Sequence, residues 1–116
     1  MAVHDVMHML NINFDSDKAV EFNSELFEFY SYHAISASNK LAKERGSYSS
    51  FDGSLWSQGI LPMDTYKNLM EYRKIDPVEY EHELVNKDWD KLRKSILEHG
   101  MRNSNTMAIA PTATIG

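Results

Sequence analysis

Two histidines four residues apart, His4 and His8, have the spacing at which two imidazoles on one helical face share a metal. Asp5 lies between them, but no third ligand follows at a suitable interval. We read them as helix-surface histidines and assign no metal. His33, beside Tyr30 and Tyr32 in a long helical pattern, reads as a packed core or interface histidine rather than a general base. His82 and His99 sit in polar surroundings and carry no signal. Asp15 with Asp17, and Glu79 with Glu81 and Glu83, form carboxylate pairs on paper. The first pair fits a helix start and the others a solvated face, and no apolar pocket signal beside them would raise a carboxyl pKa for acid–base work.

The C-terminal stretch NTMAIAPTATIG, residues 105 to 116, has a different character. TMAIA at 106 to 110 is too short for a helix, is bounded by Asn and Pro, and reads as a buried strand. Pro-Thr-Ala-Thr then follows, as where a strand's carboxyl end hands over to a loop and a helix. Main-chain N–H groups and hydroxyls at such a junction donate hydrogen bonds to phosphate or carboxylate. Composition alone leaves an ordinary polar turn as the other reading.

The elements that must position this loop are mostly helical. Val3, Val6, Met7 and Leu10 predict a short amphipathic helix over about 2–10. It starts without a capping signal, which leads us to expect a chain cut from something longer. Ser16 and Asp17 are an N-cap and first-turn pair. Ala19, Phe22, Leu26, Tyr30, Ala34, Ala37 and Leu41 then recur at steps of three and four, predicting a helix over about 16–45 that Gly46 closes. Phe27 and Phe29 widen that stripe beyond what one solvated face needs, which implies further partner surface. Ser47 to Gly59 reads as an ordered loop pinned by Phe51 and Trp56. A third helix is expected over about 64–74, broken at Asp76-Pro77. Val78 to Lys87 reads as an acidic surface excursion. Asp88 caps a last helix over about 88–99, ended by Gly100, and the strand follows over about 105–110. A lone strand has no ladder partner for its N–H and C=O groups, so the missing neighbours are expected in sequence outside this chain.

Composition narrows the partners. The 116 residues carry a formal net charge of -5, and their twelve Lys and Arg are scattered, against nucleic acid or an anionic membrane as main partner. No apolar run approaches the roughly 20 residues of a membrane span. The start MAVHDVMHML is unlike a signal peptide, and a cytoplasmic location is expected. Cysteine is absent, so the chain offers no disulfide, thiolate ligand or thiol nucleophile.

GILPMDTYKNL at 59 to 69 and MRNSNTMAIAPTATIG at 101 to 116 resemble the large catalytic subunit of ribonucleotide reductase, class I or close to it. SNKLAKERGSYSSFDGSLWSQGILPMDTY and MAVHDVMHMLNINFDS are similar to the same family in the same order, so the resemblance runs along essentially the whole chain. It implies a mainly α-helical fragment with a single terminal strand, residues 1–116 being part of that enzyme's ten-stranded α/β barrel. It also implies reduction of nucleoside diphosphates (triphosphates in some classes) to deoxynucleotides by radical chemistry. The family's loop after the RNS…AP strand holds substrate phosphates, which maps onto Pro111, Thr112, Ala113, Thr114 and Ile115. Thr112 and Thr114 would donate through hydroxyls and N–H groups, Ala113 and Ile115 through backbone alone. Many class I members have a further hydroxyl where this chain has Ile115.

The family's chemistry needs a thiyl cysteine flanked by Asn and Glu, and a further cysteine pair to supply electrons. None is present, so the chain alone is expected to be inactive and to bind no cofactor. The partners implied are the remainder of the alpha subunit, a radical-generating metal-containing beta subunit, a dithiol reductant such as thioredoxin or glutaredoxin, and allosteric nucleotide effectors such as ATP. The contrasting expectation is a free-standing helical protein-interaction domain whose terminal loop is only a turn.

Overall fold

The computed structural model describes residues 3–74 and 88–111. Four α-helices account for most of it: α1 Val3–Met9, α2 Asp17–Arg45, α3 Pro62–Arg73 and α4 Trp89–His99, with a single 3-10 turn, Trp56–Gln58, between α2 and α3. The Asp76-Pro77 break and the 78–87 excursion expected from the sequence lie outside the described residues.

Both ends of α2 and the starts of α3 and α4 have local causes. Ser16 caps α2, its Oγ accepting from Ala19 N at 3.2 Å, which satisfies one of the helix's unpaired first-turn donors. At the other end Gly46 N donates to Ala42 O at 2.8 Å and ends the helix. Pro62 opens α3 at a position where its missing N–H costs nothing. Leu61 precedes it and has no side-chain acceptor, so the reciprocal half of a capping box stands alone: Leu61 N donates to Asp64 Oδ2 at 2.7 Å. Asp88 Oδ1 accepts from Lys91 N at 3.0 Å and starts α4.

The main core forms where α2 meets α4. Ile35, Leu61, Trp89, Leu92, Ile96 and Met101 are buried together, with Tyr32, Tyr48, Phe51, Trp56 and Met63 packed around them. Tyr32 meets Trp89 edge to face at 5.2 Å between centroids. A smaller cluster, Met7, Ile12 and Ala19 with Val3 and Phe22, seats α1 on the start of α2.

One sequence expectation is corrected, and a second is not borne out among the described residues. The buried face in the C-terminal half of α2 is Ile35, Ser38, Asn39 and Ala42, whereas Tyr30, Ala37 and Leu41 of the expected apolar stripe are exposed. The four buried positions keep helical spacing, but two are polar. They are tolerated inside because each finds hydrogen-bond partners, Asn39 at Ser95 on α4 and at Gly100, and Ser38 at Asn103 in the segment after α4. The second is the terminal strand at 105–110. There is no β-strand among the described residues, and Met107 and Ile109 are 48% and 91% exposed. Apolar character and β propensity alone do not hold a strand whose backbone lacks a ladder neighbour.

Candidate functional site

The segment leading to the terminal loop is fixed at five consecutive residues by groups from elsewhere in the chain. Asn39 Nδ2 donates to Gly100 O at 2.8 Å, and Tyr48 N donates to Met101 O at 3.0 Å. Arg102 N donates to Ser38 O at 3.2 Å and Asn103 N to Ser38 Oγ at 2.9 Å. Trp56 Nε1 closes the series by donating to Ser104 O at 2.9 Å. Side chains tighten the arrangement. Ser38 Oγ donates to Asn103 Oδ1 at 3.0 Å, Ser95 Oγ to Asn39 Oδ1 at 2.6 Å, and Asn39 Nδ2 also to Ser95 O at 3.1 Å. Among the described residues no buried side-chain N or O atom is left without a partner. Such a fully satisfied polar network specifies one arrangement of its members. Met101, wholly buried in the core, anchors the same segment by packing.

A second anchor secures the start of α3. Arg93 on α4 faces Asp64 with both guanidinium ends, Nη1 to Oδ2 at 2.6 Å and Nη2 to Oδ1 at 3.2 Å, and Nη1 also donates to Gly59 O. The fork matches the carboxylate's geometry. The Arg93 hydrogen bond holds the Asp64 pKa below its ordinary value, opposed by burial and assisted by the Leu61 N–H. Because the folded state depresses this pKa, its stabilisation is full above the unfolded value of about 3.9 and is lost as pH falls through the lower folded value. Acid titration of the unfolding midpoint is therefore expected to show a loss beginning near pH 4 that Asp64→Asn flattens. An unchanged acid limb in that variant would remove Asp64 from the account.

The structure separates the remaining sequence candidates. His4 is exposed, its ring 5.8 Å from Phe14. Among the described residues no group of three His, Asp or Glu could hold a metal. His33 is exposed on α2, its ring 4.4 Å from Phe29 and 5.4 Å from Tyr32. Asp15 and Asp17 are exposed around the start of α2, while Glu79, Glu81, His82 and Glu83 lie outside the described residues. Pro111 is exposed at the end of the described chain, and Thr112, Ala113, Thr114 and Ile115 lie beyond it. Sequence reasoning missed Ser38, Asn39 and Arg93. The signal for the first two was the i, i+3, i+4, i+7 spacing of Ile35, Ser38, Asn39 and Ala42. For Arg93 there was none, since its partner is 29 residues away.

This chain belongs to the ribonucleotide reductase family: residues 1–116 match the family described as "Ribonucleotide reductase, barrel domain". Among its relatives is the ribonucleoside-diphosphate reductase subunit alpha of Chlamydia muridarum, 50% identical over 115 residues, covering 99% of this chain and 11% of that protein. The ribonucleoside-diphosphate reductase large chain 2 of Saccharomyces cerevisiae is 38% identical over 95% of this chain and 11% of its own length. The ribonucleoside-diphosphate reductase 1 subunit alpha of Escherichia coli is 37% identical over 87% of this chain and 12% of its own length. The chain thus spans about a ninth of the length of the curated relatives it matches. Family membership leaves the free-standing interaction domain without support.

Proposed function

We propose that this chain is the part of a ribonucleoside-diphosphate reductase alpha subunit that receives the substrate's phosphates, within a ten-stranded α/β barrel. The loop Pro111, Thr112, Ala113, Thr114 and Ile115 accepts the diphosphate, with donation from two hydroxyls and the backbone N–H groups. The observation that carries the reading is a match to diphosphate reductase alpha subunits extending over 99% of the chain. Residues 105–110 become a barrel strand once neighbouring strands pair with their backbone. The thiols, the radical generated by a metal-containing beta subunit, the dithiol reductant and the nucleotide effectors come from outside this cysteine-free segment. The whole works in the cytoplasm on DNA precursors.

The test uses the complete subunit. Thr112→Val combined with Thr114→Val removes two hydroxyl donors to a charged ligand, at about 1.5–3 kcal/mol each, so the Kd for CDP is expected to rise tenfold or more. Unchanged affinity would refute the loop. The isolated chain, whose 105–110 run has no strand partner, is expected to bind ADP and CDP more weakly than about 100 μM, roughly -5.5 kcal/mol. Tighter saturable binding by calorimetry would mean the loop is preformed without the barrel.

A further inference from the structure

We propose that Ser38 and Asn39 are positioning residues for the phosphate loop, acting through residues 100–104 to set the register of the strand that carries it. The inference rests on the loop reading above. Its observation is the polar pair on the buried face of α2, each residue 3% exposed, its side chains spending their hydrogen bonds on Ser95, Gly100 and Asn103. Packing of an apolar helix face would serve stability as well, since buried polar groups add little net stability even when satisfied. What polar groups add is direction. The Ser38 hydroxyl accepts from Asn103 N and donates to the Asn103 side chain, while the Ser38 main-chain carbonyl takes Arg102 N, a contact that any residue at 38 would keep.

A strand is nearly inextensible, at about 3.3 Å per residue, so an anchor at its beginning fixes where its end lies. Six residues separate Ser104 from Pro111. A slip of one residue at the anchor would shift the loop by about 3.3 Å and turn every side chain of the strand to the opposite face. Hydrogen bonds to phosphate tolerate a few tenths of an ångström around 2.9 Å, far less than that slip. The latch decides which residues of the loop meet the phosphates.

The experiment compares Ser38→Ala, Asn103→Ala, Ile35→Val and the Thr112→Val/Thr114→Val pair in the complete subunit, titrated with CDP and with cytidine. Asn103 is exposed, so its substitution leaves the core intact. Ile35→Val trims the same helix face without touching the latch. The expected result is a fivefold or greater rise in Kd for CDP in both latch variants, an unchanged Kd for cytidine, and no CDP penalty in Ile35→Val. If the Thr variants lose CDP affinity and the latch variants do not, the positioning role is overturned while the loop reading stands. Equal losses for CDP and cytidine, or an equal CDP penalty in Ile35→Val, reduce Ser38 to a stability role and overturn it too. If the Thr variants bind CDP normally, the loop reading fails and the latch proposal falls with it.

Discussion

Ile35→Asp is expected to abolish the fold of α2 against α4, while Leu41→Asp leaves it largely intact. Ile35 is 1% exposed at the centre of the main core, among Leu61, Trp89, Leu92, Ile96 and Met101. A carboxylate there has no paired cation among its neighbours. It must lose its hydration or force the helix out, at a cost of several kcal/mol. Whole domains are stable by only about 5–15 kcal/mol, so a penalty of that size removes much of the margin. Leu41 is 36% exposed, and substitutions at open positions usually stay within about 0.5 kcal/mol. Urea unfolding followed by circular dichroism separates the two variants. Equal midpoints would mean that the buried face of α2 is not the one described.

Gly100→Ala is expected to cost about 2–4 kcal/mol, more than Gly46→Ala. Both glycines have positive φ with extended ψ, φ 77 and ψ -164 at Gly100 and φ 77 and ψ 164 at Gly46. Only glycine occupies that region at low cost, and other residues lose about 1–3 kcal/mol there. The surroundings differ. A Cβ at Gly46 meets nothing within 4 Å, whereas one at Gly100 runs into Ser47 Oγ and lies 3.0 Å from Ser47 Cβ. Gly100 is also pinned through its carbonyl to Asn39, which limits how far the turn can move away. Denaturation midpoints of the two variants isolate this steric contribution. A Gly100→Ala no worse than Gly46→Ala would show that Ser47 yields freely.

What the sequence disclosed follows from the range over which each feature is determined. The start of α2 was legible because Ser16 and Ala19 interact within one turn, and its end because Gly46 has no side chain to strain. Asp88 and Gly100 mark α4 for the same local reasons. The buried face of α2 was misjudged because apolar periodicity passes over Ser38 and Asn39. Their spacing with Ile35 and Ala42 is helical, but the partners that make them fit to bury lie 56 to 65 residues away. TMAIA reads as a strand from its side chains, but a strand is a property of two backbones and one was not in view. The candidate loop was marked in the sequence as a junction able to hold an anion, with a polar turn as the other reading, and its assignment to substrate phosphate came from a resemblance to a family. Its anchor at 100–104 became visible only in three dimensions.

The latch also sets a schedule for biosynthesis. Ser38 meets Asn103 across 65 residues of chain, and Asn39 meets Gly100 across 61. A ribosome adds about 5–20 residues per second, so roughly 3–13 s pass after Ser38 is made before its partner exists. Helix formation takes microseconds or less. Through that interval the polar pair has no partner from α4 or from the segment after it, and water takes their place. A face carrying Ser38 and Asn39 beside Ile35 and Ala42 leaves less apolar surface in water before α4 arrives than an all-apolar face would.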